Sequence, residues 1–435
     1  MKIFNFTSGK KIFQNKILKN AGWLIGGRVC QLLVNFFVSI LMARYLGPSN
    51  YGLINYAGAY IAFFTSLCTL GINSILVKEL IDRPEEDGKI LGTSIALRLI
   101  SSLLSAITIV GISAVVDRNE PVTILVVALS SFGVIFHVFE VFNFWFQSHL
   151  QSKITAIASL CAHTITALYK VFLLVTQKSV AYFAIATSVD YICVAIFLYI
   201  CYRKYNGKKL CFSIYEGKRL LSKSWHFILP SLMVAIYGQT DKMMLKHIVG
   251  EAEIGYYSIA VSICSVWCFV LSAIIDSLYP SIMQAANEGN EKQFERLNKV
   301  LYAIVFYIST IVSVVFVVFA ELLIGVVYGE AYLPAVMPLR VITWYTSFSY
   351  LGVARDAWIV GKNKQKYLIY IYIFAAIANV GLNIVLIPLW GAVGAAVASL
   401  IAQMATIFVP LVIKPLRHNT ILIIEAILLK GVKRS

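Results

Sequence analysis

Ala43-Arg44-Tyr45-Leu46-Gly47-Pro48-Ser49-Asn50-Tyr51-Gly52 joins two long apolar segments. About two hundred residues later, Leu245-Lys246-His247-Ile248-Val249-Gly250-Glu251-Ala252-Glu253-Ile254-Gly255-Tyr256-Tyr257 does the same. Both copies space their glycines as G-x-x-x-x-G. A chain with two matching apolar halves is built for one half to move against the other around a central site. The pattern therefore points to transport across a membrane.

Composition agrees. The chain has 435 residues, of which 59% are hydrophobic and 13% charged, with a mean hydropathy of +0.80. That excess of apolar surface excludes a soluble globule. Apolar runs long enough to cross a ~30 Å hydrocarbon core recur from end to end. Twelve can be drawn: 20–45, 52–77, 90–115, 122–147, 154–176, 180–202, 224–248, 254–284, 300–320, 334–360, 367–388 and 391–413. The first follows a basic stretch with no cleavage-site pattern after it, so it reads as a retained helix and not a signal peptide.

The formal net charge of +16 does not mark a nucleic-acid binder, because its distribution is that of a topology signal. Lys2, Lys10, Lys11, Lys16 and Lys19 precede the first run. Further clusters include Lys78, Arg83 and Lys89; Arg203, Lys204, Lys208, Lys209, Lys218, Arg219 and Lys223; and Lys414, Arg417, Lys430, Lys433 and Arg434. All fall on alternate loops, whereas the intervening loops hold chiefly Arg118 and Lys178. The positive-inside rule then places both termini and the 203–223 loop in the cytoplasm. The eight cysteines form no C-x-x-C pair and read as small packing residues, with no metal site implied.

The 203–223 loop separates six runs from six. Trp145 to Lys153 closes the fourth run as Trp358 to Lys366 closes the tenth. With six spans per half, the second copy keeps the orientation of the first, so the repeat is parallel and its axis runs along the membrane normal. The expected division is an N-lobe at 1–205, a cytoplasmic linker at 206–223, a C-lobe at 224–414 and an interfacial tail at 415–435. The segment Ala285–Lys299 reads as an interfacial helix with Phe294, Leu297 and Leu301 on one face.

No phosphate-binding G-x-x-x-x-G-K-[ST], H-E-x-x-H or G-x-S-x-G is present, so no catalytic residue and no cofactor is expected. The driving force is expected to be an H+ or Na+ gradient, the membrane potential, or substrate flux. The informative residues are polar ones within apolar runs. Arg28, Gln31, Asn35 and Ser39 share one helix face. Arg28 lies ~12 Å in from the cytoplasmic end at 1.5 Å per residue, where a guanidinium needs water, an anion or a carboxylate. It either contacts an anion in a wet cavity or pairs with Glu140 or Asp190. Arg98 sits at similar depth, and Lys170 lies further out on a face with Ser159, His163 and Thr166; the three cations form a candidate ladder for an anionic head group. Asn55, Ala59, Ala62, Ser66 and Asn73 stripe the second run, and Ser258, Ser262, Ser265, Ser272 and Asp276 the eighth. Such residues either pack helices closely or line a lumen. Pro230 is expected to interrupt the seventh helix. Asp241 beyond it reads as a proton or cation site, a gate latch, or the partner of a basic residue on a neighbouring helix.

Ala43-Arg44-Tyr45-Leu46-Gly47-Pro48-x-x-Tyr51-Gly52 resembles the first-hairpin signature of the bacterial polysaccharide repeat-unit (O-antigen/capsule, Wzx-type) flippases. Asp241-Lys-Met-Met-Leu245, followed by Gly250 and Gly255-Tyr256-Tyr257, resembles the matching signature of the second half. These flippases belong to the multidrug/oligosaccharidyl-lipid/polysaccharide exporter superfamily, and the resemblance covers about residues 15 to 415. It implies an all-α polytopic membrane protein of about 12 transmembrane helices in two six-helix lobes, V-shaped around a central cavity. It also implies translocation of an undecaprenyl-pyrophosphate-linked oligosaccharide to the outer leaflet by alternating access, in the bacterial cytoplasmic (inner) membrane. Arg28, Gln31, Asn35, Asn55, Arg98 and Lys170 become the expected substrate contacts, and Asp190, Asp241, Pro230 and Asp276 the expected coupling or gating positions. Membrane lipids, a polysaccharide polymerase and a chain-length regulator become the expected partners. The rival readings are a multidrug or cation antiporter, which needs a carboxylate-dominated cavity, and a membrane glycosyltransferase or polymerase, which carries large outer loops.

Overall fold

The computed structural model describes residues 6–430, and side chains within that range except those of 6–21, 24, 25 and 237. Lys2, Lys433 and Arg434 of the basic clusters lie outside the described residues. Among the described residues the chain is helical throughout and holds no strand. Lipid offers no hydrogen bonds, so a spanning backbone must satisfy its own amides, and a helix does that within one segment.

The helices in order are α1 (Phe6–Cys68), α2 (Asn73–Asp82), α3 (Asp87–Val116), α4 (Pro121–Ser131), α5 (Val141–Ser148), α6 (Ser152–Val175) and α7 (Val180–Lys204). They continue as α8 (Ile214–Ser224), α9 (Ile228–Ile248), α10 (Glu251–Asn287), α11 (Glu291–Val327), α12 (Val336–Gly361), α13 (Leu368–Phe408) and α14 (Lys414–Ile427). Eight helical stretches among the described residues are long and apolar enough to span, and a bent pair, Ile214–Ile236 with Gly238–Ile248, makes nine. Two of the eight are double. α1 breaks at Gly47 (φ 72°) and α13 at Gly391 (φ 55°), in the left-handed region that a Cβ disfavours. Dividing both, and adding the 26-residue α12 with its Arg340, Arg355 and Asp356, gives the twelve spans read from the sequence.

The chain forms two compact units. One comprises Met1–Tyr45 and Ala57–Leu232; the other comprises Leu46–Tyr56 and Met233–Ser435. From Leu46 onward the first hairpin signature is thus built into the second unit, beside its own repeat. There Gly52 lies against the Glu251 carbonyl and Gly255 against the Pro48 carbonyl, so closely that a Cβ on either glycine would overlap that oxygen. The two contacts are one contact repeated. Adding the 203-residue offset turns Pro48 into Glu251 and Gly52 into Gly255.

Two expectations change. Pro230 does not interrupt a helix: it is the third residue of α9, where a missing N–H costs no hydrogen bond. The axis bends by 42° further on, between Ile236 and Gly238. Ala285–Lys299 is not a separate interfacial helix but the hairpin end of α10 and α11, turned at Glu288–Asn290. Asn290 caps the new helix by accepting from the Gln293 amide at 3.2 Å, and Phe294 and Leu301 are buried in the core of the second unit. The 421–429 run, expected at the interface, packs one face, with Leu422, Ile423 and Ala426 in that same core. The 206–223 linker contains α8. Its N-cap Ser213 accepts from Glu216, and the buried Glu216 carboxylate accepts from Arg83 at 2.6 Å.

Candidate functional site

The first unit holds a polar cavity of about 630 Å³. α1 contributes Gly27, Arg28, Gln31 and Asn35 from one face. His137, Glu140, Asn143 and Gln147 come from the α4–α5 stretch, Ser159, His163 and Lys170 from α6, and Asp190 and Tyr191 from α7.

Local geometry orders this lining. Phe132–Glu140 between α4 and α5 is a 3-10 helix, whose three-residue turn stacks i directly over i+3. His137 therefore lies over Glu140, with Nε2 at 3.1 Å from the carboxylate. The other ring nitrogen, Nδ1, lies 3.0 Å from the Arg98 guanidinium. A guanidinium can only donate, so Nδ1 accepts, and Nε2 carries the proton on the side facing Glu140. Arg98 is fully buried and also donates to the His137 carbonyl at 3.1 Å and to Asn73 Oδ1 at 3.0 Å. On the other wall, His163 Nδ1 meets Asp190 Oδ1 at 2.8 Å.

The cavity thus has two cations, Arg28 and Lys170, and two carboxylates, Glu140 and Asp190, whose formal charges balance. What differs is their engagement. Asp190 is hydrogen-bonded to His163 and Glu140 lies against the His137 ring, whereas Arg28 and Lys170 form no hydrogen bond or ion pair among the described residues. The alternative partners named for Arg28 are therefore taken by His137 and His163. An uncompensated cation deep in a membrane protein is costly, and a polar cavity that admits water or an anion offsets that cost.

Of the six residues expected to touch substrate, the structure brings four together here: Arg28, Gln31, Asn35 and Lys170. Arg98 lies behind the lining and positions His137. Asn55 belongs to the second unit and donates to the Tyr51 carbonyl at 2.9 Å. Thr166, placed on the Lys170 face by spacing, turns inward and is buried. Glu140 lay in the sequence only as a candidate partner for Arg28. The signal for its true partner was His137-x-x-Glu140 inside an apolar run, which pairs on a 3-10 turn.

The second unit buries a different cluster. Asp241 accepts from Asn383 Nδ2 at 2.6 Å, from Tyr257 OH at 2.5 Å and from Ser399 Oγ at 2.5 Å. Asn379 bonds both Ser399 and Asn383. Asp241 is thus held by neutral donors of α10 and α13, not by a basic residue of a neighbouring helix. Asn379 and Asn383, four residues apart in an apolar run, are the sequence signal that would have located this cluster. Asp276 is exposed on α10, away from it. Among the described residues, no group of three His, Cys, Asp or Glu side chains is disposed to hold a metal ion.

Residues 17–286, more than half of the chain, match the family described as "Polysaccharide biosynthesis protein". Residues 227–385 match the family described as "MatE". The chain is 21% identical over 312 residues to the "Putative O-antigen transporter" of Escherichia coli K12, covering 69% of this chain and 73% of that protein. Among solved structures, an inward-facing multidrug resistance MATE family transporter of the MOP superfamily superposes with a TM-score of 0.70. It is 16% identical, over 89% of this chain and 96% of that one. The lipid II flippase MurJ in its inward closed conformation superposes with a TM-score of 0.66 at 14% identity, over 94% and 92%. At such identities the likeness is one of fold.

Proposed function

The chain belongs to the polysaccharide biosynthesis protein family, and from that premise we propose that it is a flippase for a lipid-linked oligosaccharide. The observation that carries this reading is the imbalance of engagement in the first unit's cavity. Arg28 and Lys170 are free to meet an anion, while Glu140 lies against His137 and Asp190 is hydrogen-bonded to His163. A diphosphate between sugar and lipid supplies the charge and the acceptors those cations require. Gln31, Asn35, Asn143 and Gln147 add amide groups, which suit sugar hydroxyls.

In this reading the substrate is an undecaprenyl-pyrophosphate-linked repeat unit. It enters from the cytoplasmic leaflet of a bacterial inner membrane, with both chain termini in the cytoplasm, and leaves in the outer leaflet after alternating access. Arg28 offsets desolvation of the diphosphate, and Lys170, further along α6, takes it up as it advances. The O-antigen transport named for the Escherichia coli relative supports that substrate class. An exporter of cations is disfavoured because its site would need free carboxylates.

The decisive experiment is surface polysaccharide output at matched protein level. Losing a charge-assisted contact worth about 1.5–3 kcal/mol reduces translocation by about ten- to a hundredfold in Arg28→Ala, with part restored in Arg28→Lys. Equal output from Arg28→Ala and wild type overturns the assignment. We propose Asp241 as the site of coupling to H+ or Na+, supported by its buried carboxylate that bridges three helices, with Asp190 as the alternative.

A further inference from the structure

A second depression lies back to back with the cation cavity. It is apolar, has a volume of about 510 Å³, and runs between α1 and α6, with Gly22, Gly26 and Gly27 facing Ala156, Ile157 and Leu160. The two helices run parallel here. Trp23 pairs with Lys153, whose ammonium lies 5.1 Å from the indole centroid, and one turn further Gly27 meets Ala156. A Cβ on Gly27 would lie 3.0 Å from the Ala156 Cβ.

Glycines on a membrane helix ordinarily let a neighbour approach, and Gly27 does so. Gly22 and Gly26 do not: a Cβ on either would meet nothing within 4 Å. Close packing therefore does not account for them. They leave an open trough ~12 Å long from Gly22 to Cys30, at 1.5 Å per residue. Gly27 and Ala156 line both the trough and the polar cavity. The wall between the two is thus one glycine and one alanine thick, and Arg28 stands on its polar side.

We infer that this trough holds the hydrocarbon chain of the lipid-linked substrate, at the segment next to the diphosphate, while Arg28 holds the diphosphate. The inference rests on the flippase reading above. It commits to the substrate's own chain because the trough shares the Gly27–Ala156 wall with the cation cavity. A head group at Arg28 brings the first part of its chain to the Gly27–Ala156 wall. The surrounding lipid is as apolar as the trough, so the hydrophobic effect gives no preference there; shape and packing do. The trough keeps the chain beside its head group as the head group moves through the protein.

The test uses the full-length protein in proteoliposomes with two separate probes. A photoreactive polyprenol, which has a chain but no diphosphate, is expected to label peptides containing residues 22–30 and 153–160. Gly26→Leu fills open space and is expected to cut that labelling by about fivefold or more, the scale that lost van der Waals packing in lipid supports. Gly22→Leu serves as the second variant should one of them misfold. Ile107→Trp, at an exposed position on α3, leaves labelling at the wild-type level. Inorganic pyrophosphate binding, weakened by Arg28→Ala, reads the head-group assignment separately. Polyprenol labelling that is indifferent to both leucine variants, or equal labelling of the trough by a photoreactive phospholipid, overturns the chain assignment. Pyrophosphate binding indifferent to Arg28→Ala overturns the head-group reading instead.

Discussion

Arg98 and Arg28 lie at similar depths in the sequence yet do different work. Arg98 donates to Asn73 Oδ1 and to the ring and carbonyl of His137, so Arg98→Met takes the donor from three acceptors, at about 1–3 kcal/mol for each left unsatisfied. A lower unfolding temperature in detergent is expected. Glu140 gives the sharper test of substrate charge. Glu140→Gln removes a negative charge from the cavity and leaves Arg28 and Lys170 in place. At the effective dielectric of a partly buried site this is expected to tighten pyrophosphate binding by about two- to fivefold, most clearly at low salt. Weaker binding in that variant would mean that the cavity does not serve an anion. Neither role was legible from depth alone, because an intramembrane arginine looks the same in sequence whether a neighbour accepts from it or not.

Among the elements, the paired glycine motifs are the least forgiving. Gly52 and Gly255 touch main-chain carbonyls, which cannot rotate away as a side chain can. Gly52→Ala and Gly255→Ala are each expected to cut the amount of folded protein in membranes severely and to similar degrees, since the contacts are reciprocal. Gly58→Ala, with open space around it, is the matched control. Fluorescence-detected gel filtration of tagged variants measures all three. Gly391→Ala sits between these extremes. Its positive φ alone costs about 1–2 kcal/mol, and it crowds the Glu253 carboxylate that accepts from the Ala392 amide at 2.6 Å. The element pattern itself was readable. The glycine spacing located the breaks at Gly47 and Gly250, and both residues have positive φ. The turn at Glu288–Asn290 was misread because amphipathic spacing fits a helix lying in an interface as well as one capping a span.

For the whole molecule, topology and coupling are the testable properties. In a variant lacking the eight native cysteines, a cysteine at Arg118 is expected to react with an impermeant maleimide from outside intact cells, and one at Lys209 only after permeabilisation. Labelling of both from outside would reverse the orientation. In proteoliposomes, transport is expected to depend on an H+ or Na+ gradient, and Asp241→Asn to remove that dependence; transport indifferent to both gradients would remove the coupling role. The sequence by itself determined the helical, duplicated, polytopic character of this chain, because lipid leaves the backbone few options and charge bias sets the orientation of loops. Only the tertiary structure decided which charges are free. Arg98 finds His137 39 residues away and His163 finds Asp190 27 residues away. Such pairings depend on how each helix is rotated about its axis against its neighbours. Periodicity says which residues share a face, and packing alone says what that face meets.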